Sequence, residues 1–268
     1  MVTPMDDGFP IGESLAGGGV ITDAIRGDDA RGMFHAVDAA KRRLLVTVTS
    51  RQKRPLDLLE EELGYQVDGV ARLRDITPLG DSHASMVEEE PPGRPSTDHD
   101  LPLAPDTAVA LAGELAAVLE RAHGEGLVLI GVRPELVYLE ERGGVLHVAG
   151  LAPRADLFVS GASAVYGAKP LFDQLFAAPE VLTMQKSVSP AADVFSLCAV
   201  LAVWLTGEHP FEGETQTAQL GSIVGGRGRP WSGPAALGMA LARGLERTPR
   251  ARPSLPELFA ELRAAGDA

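Results

Sequence analysis

From Ser189 to Thr206 the chain carries one helix that is apolar on nearly every side. Ser189 and Pro190 supply its start signal, since proline is preorganised for the first helical position. A surface helix keeps a polar face, so a helix without one belongs in the middle of a lobe, with other elements packed around it. Its apolar stretch, Val194 to Leu205, comes closest to a membrane span and is still too short for one. The chain therefore has to build a helical lobe around this segment. With 268 residues, 45% of them hydrophobic, it has enough material for one two-lobed domain or two small ones.

The residues before this lobe follow a different rhythm. Residues 1–19 suit a flexible, acidic, Gly-rich lead-in. Short β segments are expected over Val20–Arg26, Met33–Asp38 and Leu44–Thr49, with a basic turn at Lys41–Arg43. Pro55 opens a short helix with Leu56, Leu59 and Leu63 on one stripe and Glu60–Glu62 on its solvated face. Strands return between Asp75 and Glu90, and the breaker-rich Pro91–Thr97 marks a boundary. Beyond it, Asp106 is expected to cap a helix that buries Leu111, Leu115, Val118 and Leu119 and ends near Gly124. Ser254–Glu257 is a capping box for a last helix with Leu258, Phe259 and Leu262 inward. The fold class is α+β: a lead-in over 1–19, a small β-rich lobe over 20–92 and a larger helical lobe over 93–268.

Charge and composition exclude several functions. A net charge of −13 leaves no basic face for phosphate backbones, so nucleic acid is not an expected partner. One cysteine, Cys198, and six scattered histidines give no zinc spacing, disulfide framework or other metal site. Cys198 is expected as a small core residue in a reducing, cytoplasmic compartment. The N-terminus lacks the apolar core of a signal peptide. There is no asparagine anywhere, which removes glycosylation sites and any Asn metal ligand.

Motifs narrow the reading further. His123-Gly-Glu-Gly leads through Leu129-Ile130-Gly131 to Arg133-Pro134-Glu135-Leu136 and an apolar strand, Val137-Tyr138-Leu139. Ala178-Pro179-Glu180, Asp193-Val-Phe-Ser-Leu197, Thr206-Gly-Glu-His-Pro210-Phe211 and Arg250-Ala-Arg252-Pro253-Ser follow in that order. Any one of these is weak, but the series at these separations is specific. It resembles the eukaryotic-like Ser/Thr protein-kinase family over roughly Val20 to Leu262, as H-R-D-L-K-P-E-N, A-P-E, D-V-W-S-L, T-G-x-x-P-F and x-x-R-P-T. The Ala, Gly, Arg and Leu bias with few lysines suggests a bacterial member.

The resemblance implies a bilobal fold in which Glu180 pairs with Arg252 and Asp193 holds the catalytic-loop backbone. It also implies where the chemistry would sit, and there this chain departs from the pattern. The phosphate-gripping Lys falls on Thr47, the base Asp on Gly131, the metal-binding Asn on Leu136 and the Asp of D-F-G on Gly150. The Gly-rich frame falls on Gly27-Asp28-Asp29-Ala30-Arg31-Gly32, with Asp29 in place of the middle glycine. Carboxylates there repel phosphates. The adenine slot maps to Phe34, Leu45 and Tyr138, side chains large enough to fill it. Further on, the family's substrate-supporting Thr maps to Asp173.

These substitutions imply a pseudokinase: no catalysis, no cofactor, no Mg-ATP, and a regulatory or protein-binding role. Its expected surfaces are the activation segment, the helical lobe and an acidic face at Glu88-Glu89-Glu90. The alternative is a residual nucleotide-binding enzyme with atypical transferase chemistry, which needs an open cleft and a repositioned carboxylate.

Overall fold

In the computed structural model, the described residues are 18–28, 31–50, 66–79, 83–130, 132–140, 146–148, 174–183 and 188–266, with Gly12, Ser14 and Leu15. The first lobe is a five-stranded antiparallel sheet: β1 (Gly19–Asp28), β2 (Arg31–Asp38), β3 (Arg43–Ser50), β4 (Leu73–Leu79) and β5 (His83–Glu89), in the order β1-β2-β3-β5-β4. β1 and β2 form a hairpin in which Gly27 pairs with Gly32 and Asp28 with Arg31. Alternate residues on a strand face opposite sides of the sheet, so the register decides what each face is made of. Phe34, Leu44, Val46 and Val48 pack together with Ile21 and Val87 on one face. Leu45 and Thr47 take the other.

The second lobe surrounds the apolar helix that composition singled out. A short ladder of β6 (Arg94–Pro95), β7 (Val137–Leu139) and β8 (Leu146–Val148) lies beside the helices α1 (Pro105–Gly124), α2 (Pro179–Leu182), α3 (Ala191–Thr206), α4 (Gln216–Gly225), α5 (Ala235–Gly244) and α6 (Leu255–Gly266). On α3, the residues from Ala192 to Ala202 are all buried, and α1, α5 and α6 supply most of the wall around it. Cys198 lies fully inside, its thiol pushed up to about 12 by burial, and Gly244 makes room for its sulfur: a Cβ there would come 2.1 Å from Sγ. Among the described residues no helix is long and apolar enough to cross a membrane.

Two helix starts differ from expectation. Asp106 does not cap α1, because Ala104 holds the cap position and Asp106 sits inside the first turn, where its charge favours the helix dipole. The capping box at Ser254 forms, but one arm is reversed. Its N–H and its hydroxyl both donate to Glu257, at 2.9 and 2.8 Å.

The lobes are joined by more than the connection through Pro91–Pro95. Val67 and Val70 pack on the helical core, and Arg121 donates to the Asp68 carbonyl at 2.9 Å. Gly69 permits this approach: its φ is +86° and a Cβ there would lie 2.6 Å from Val118. The helix expected from Pro55 lies outside the described residues.

Candidate functional site

The loop from Leu129 to Leu136 is held from below by α3. Asp193, fully buried, accepts from the backbone N–H of Leu129 at 2.9 Å and of Ile130 at 2.8 Å, and its Oδ2 lies 2.8 Å from His123 Nε2. Ile130 has φ +43°, a left-handed conformation that costs a β-branched residue strain. The two charge-assisted bonds that Asp193 accepts fix the backbone leading into that strained residue. A second tether comes from the other direction. Ser96 donates to the Pro134 carbonyl at 2.8 Å and accepts from Trp204 Nε1 at 3.0 Å, which ties the segment between the lobes to the loop and to α3. Leu136 ends a single 3-10 turn, Pro134–Leu136, and is buried.

Across the cleft, β3 presents Leu45. Its side chain packs directly against Leu136 and Tyr138, and Ala71 closes the cluster. All three large side chains are nearly without solvent exposure, so a β3 residue from one lobe and the loop and β7 from the other meet in one buried cluster. The Tyr138 hydroxyl is held well above the usual phenol range, by burial first and by the Glu90 carboxylate second. Tyr138 is therefore a neutral packing residue at ordinary pH.

Phe34 does not join this cluster, which corrects the expectation from sequence. It pairs with Val46 across β2 and β3 and lies on the far face of the sheet, while the residue opposite Leu45 is His35. A one-residue slip in the frame moves a side chain to the other face, and that is the whole of the discrepancy. Thr47 sits on β3 two residues from Leu45, opposite Met33. Gly27 and Gly32 face one another near the end of the first hairpin. Asp29, Gly131, Gly150 and Asp173 lie outside the described residues.

The expected acidic face at Glu88–Glu90 is also corrected. Glu88 is buried, Glu89 pairs with Arg74, and the Glu90 side chain is 2% exposed, 2.6 Å from Arg43 and 3.3 Å from His35. Glu88 and Glu90 are turned inward, and Glu89 is paired, so the three do not form one open acidic face.

Below the loop, the segment Gln174–Thr183 is clamped to the helical base. Arg252 donates to both oxygens of Glu180, at 2.7 and 2.8 Å, with both side chains essentially solvent-free. The same guanidinium also donates to the Ala191, Glu246 and Arg247 carbonyls, so its donors are well used. Ser196 donates to the Phe176 carbonyl at 2.8 Å, and His209 places Nε2 2.9 Å from the Leu175 carbonyl with its ring edge-on to Phe176. Ser96, Ser196 and the pairing of Trp204 were not picked out from sequence. A buried indole N–H needs an acceptor, so Trp204 inside an apolar helix was the available signal.

Among curated proteins, the chain is 29% identical to the Ser/Thr-protein kinase PkaB of Streptomyces coelicolor over 211 residues, which is 75% of this chain and 50% of that protein. It is 26% identical to PkaA of the same organism over 205 residues, 74% of this chain and 37% of that one. It is 26% identical to PknD of Mycobacterium tuberculosis over 161 residues, 56% and 23%. The chain is related to the bacterial eukaryotic-like Ser/Thr protein kinases. It spans half or less of the length of these kinases. No family model matches it. The structure of Rad53 residues 1–466 in complex with AMP-PNP shares the fold, with a TM-score of 0.66 at 16% identity, covering 89% of this chain and 63% of that one. The kinase-like fold is thus bilobal, with an antiparallel sheet lobe and a helical lobe.

Proposed function

We propose that this kinase-like chain is a catalytically inactive pseudokinase that serves in the cytoplasm as a protein-binding or regulatory module, with lobes divided as 20–92 and 93–268. The observation that supports this reading is the packing of Leu45 with Leu136 and Tyr138, at positions where the kinase resemblance would put the nucleotide slot. Phosphoryl transfer works by positioning phosphates and neutralising their charge. The residues at the corresponding positions, Thr47, Gly131, Leu136 and Gly150, carry no charge with which to do either. The work of the helical lobe in this reading is mechanical: Glu180, Arg252 and Asp193 hold a shape on which a protein partner can be received.

A thermal-shift titration with Mg-ATP tests this. A ligand that binds the folded state must raise its melting temperature, by a margin that grows with concentration. The expected result is an unchanged melting temperature up to millimolar Mg-ATP. A saturable rise overturns the proposal and favours a nucleotide-binding enzyme.

A further inference from the structure

We propose that a cavity at the base of the helical lobe, far in sequence from the cleft residues, is a binding site for a small neutral ligand with an aromatic body. The cavity has a volume of about 420 Å³, inside the range of small-molecule sites. Its apolar wall consists of Phe211, Leu241, Leu245 and Trp231. Both aromatic members of that wall are fixed from behind. Phe211 stacks on the buried Phe195 ring, with centroids 5.7 Å apart. The Trp231 Nε1 donates to the Pro234 carbonyl at 2.8 Å. A Cβ at Gly238 would come 2.4 Å from the indole and one at Gly233 2.5 Å, so larger residues at either position would push the ring out of place. Rings held in this way favour another ring over a flexible chain, because aromatic faces and edges attract and a rigid body loses little freedom on binding.

The polar groups around the wall decide the charge of the ligand, because they are already engaged within the lobe. His209 places Nε2 2.9 Å from the Leu175 carbonyl and Nδ1 3.1 Å from the Phe211 N–H, so both ring nitrogens are used. The Thr206 hydroxyl donates to the Ala202 carbonyl at 2.7 Å and accepts from the Glu208 N–H at 3.2 Å. The helix ends at the cavity have donors as well. Gly207 N–H donates to the Val203 carbonyl at the end of α3, and Leu245 N–H to the Leu241 carbonyl at the end of α5. At the end of α4, the N–H groups of Gly226 and Arg227 donate to Ile223 and Ser222, and the Arg227 guanidinium to Gly221. Of the lining side chains that carry charge, Arg229 and Arg247 balance Glu208 and Glu246, and Arg229 lies 3.2 Å from Glu208. All four are exposed, so they stand at the rim in contact with water. An ion entering the cavity would give up hydration against an apolar wall, which costs affinity for either sign. A neutral ring gains from leaving water and needs no partner.

Tryptophan fluorescence can read the site, because the chain has two tryptophans and the other, Trp204, is fully buried. The probe is 2-phenylethanol, compared at constant ionic strength with 2-phenylethylammonium and phenylacetate, which carry the same ring and opposite charges. The alcohol is expected to give a saturable change with a Kd on the order of 1 mM, typical of about nine non-hydrogen atoms. Both ions should bind at least about five-fold more weakly. Glu246→Gln and Arg247→Gln each remove an exposed charge and should change the affinity for the alcohol by less than about two-fold. Ala242→Phe, exposed on α5 and lining the cavity, should fill it and abolish the response while the urea midpoint stays near that of the parent. The proposal is overturned by the lack of a saturable response to the alcohol, or by either ion binding as tightly as the alcohol. A larger effect of either charge substitution, or a folded Ala242→Phe protein that still binds, overturns it too. The Mg-ATP titration has no bearing on this result, so the two proposals fail separately.

Discussion

The base of the helical lobe and the cleft above it are built from the same helix and loop, yet they carry opposite kinds of interaction. At the base, two buried charges are each answered: Arg252 by Glu180 and three carbonyls, Asp193 by two backbone N–H groups and His123. In the cleft, the described residues at the positions of interest are apolar or neutral, and they touch each other: Leu45, Leu136 and Tyr138. Buried charge tolerates little change, because removing one partner strands the other. Apolar packing tolerates substitution but resists an intruding ligand. The contrast separates what holds the fold's shape from what lines the cleft.

The largest expected effect lies at the base. Arg252→Ala leaves Glu180 buried and unpaired, which should cost about 3–5 kcal/mol. At ~2–4 °C per kcal/mol for a chain of this size, the melting temperature should fall by roughly 10 °C. A calorimetric scan showing a fall of only a degree or two would mean that the pair is not sealed from solvent. The cleft comes next. Leu45→Ala should destabilise by about 2–5 kcal/mol, the range for a buried leucine, measured by urea unfolding. If Leu45 instead lined an open slot, its loss would be nearly silent, and the contrast between the two regions would be of a different kind.

The smallest effect concerns the exposed Glu257 carboxyl in the first turn of α6. The Glu257 carboxyl is held below its ordinary value, first by the Ser254 backbone N–H and then by the Ser254 hydroxyl. A depressed folded-state pKa stabilises above the unfolded value and is lost as pH falls through the folded one. Stability should therefore decline slightly as pH drops below about 4.5, and less so in Glu257→Gln. Identical acid profiles for the two proteins would remove this capping arm from the account.

Much of the architecture was legible because its signals are local. The apolar run of α3, the alternation of β1–β3 and the Ser254–Glu257 spacing each act within a few residues, and each appears where expected. The errors arose where a long-range pairing decides the outcome. Phe34 was placed in the cleft by counting from Gly32, but register is set by the ladder between β2 and β3, which puts His35 opposite Leu45. Glu88 to Glu90 looked like an acidic surface in sequence. Arg74, which pairs with Glu89, and Arg43 and His35, which face Glu90, come from other strands, and no count along the chain reveals them. Gly69 is similar: only its approach to Val118 on α1 shows why a residue without Cβ is needed.

The central claim is that side chains from the two lobes occupy the cleft by packing on each other. A double-mutant cycle on Leu45→Ala and Tyr138→Ala tests it most directly, with unfolding free energies from urea titration of the four proteins. Residues in contact couple by about 0.5–3 kcal/mol, so the double variant should lose clearly less stability than the two single losses added together. Strict additivity would contradict the account, since it would mean that Leu45 and Tyr138 do not meet.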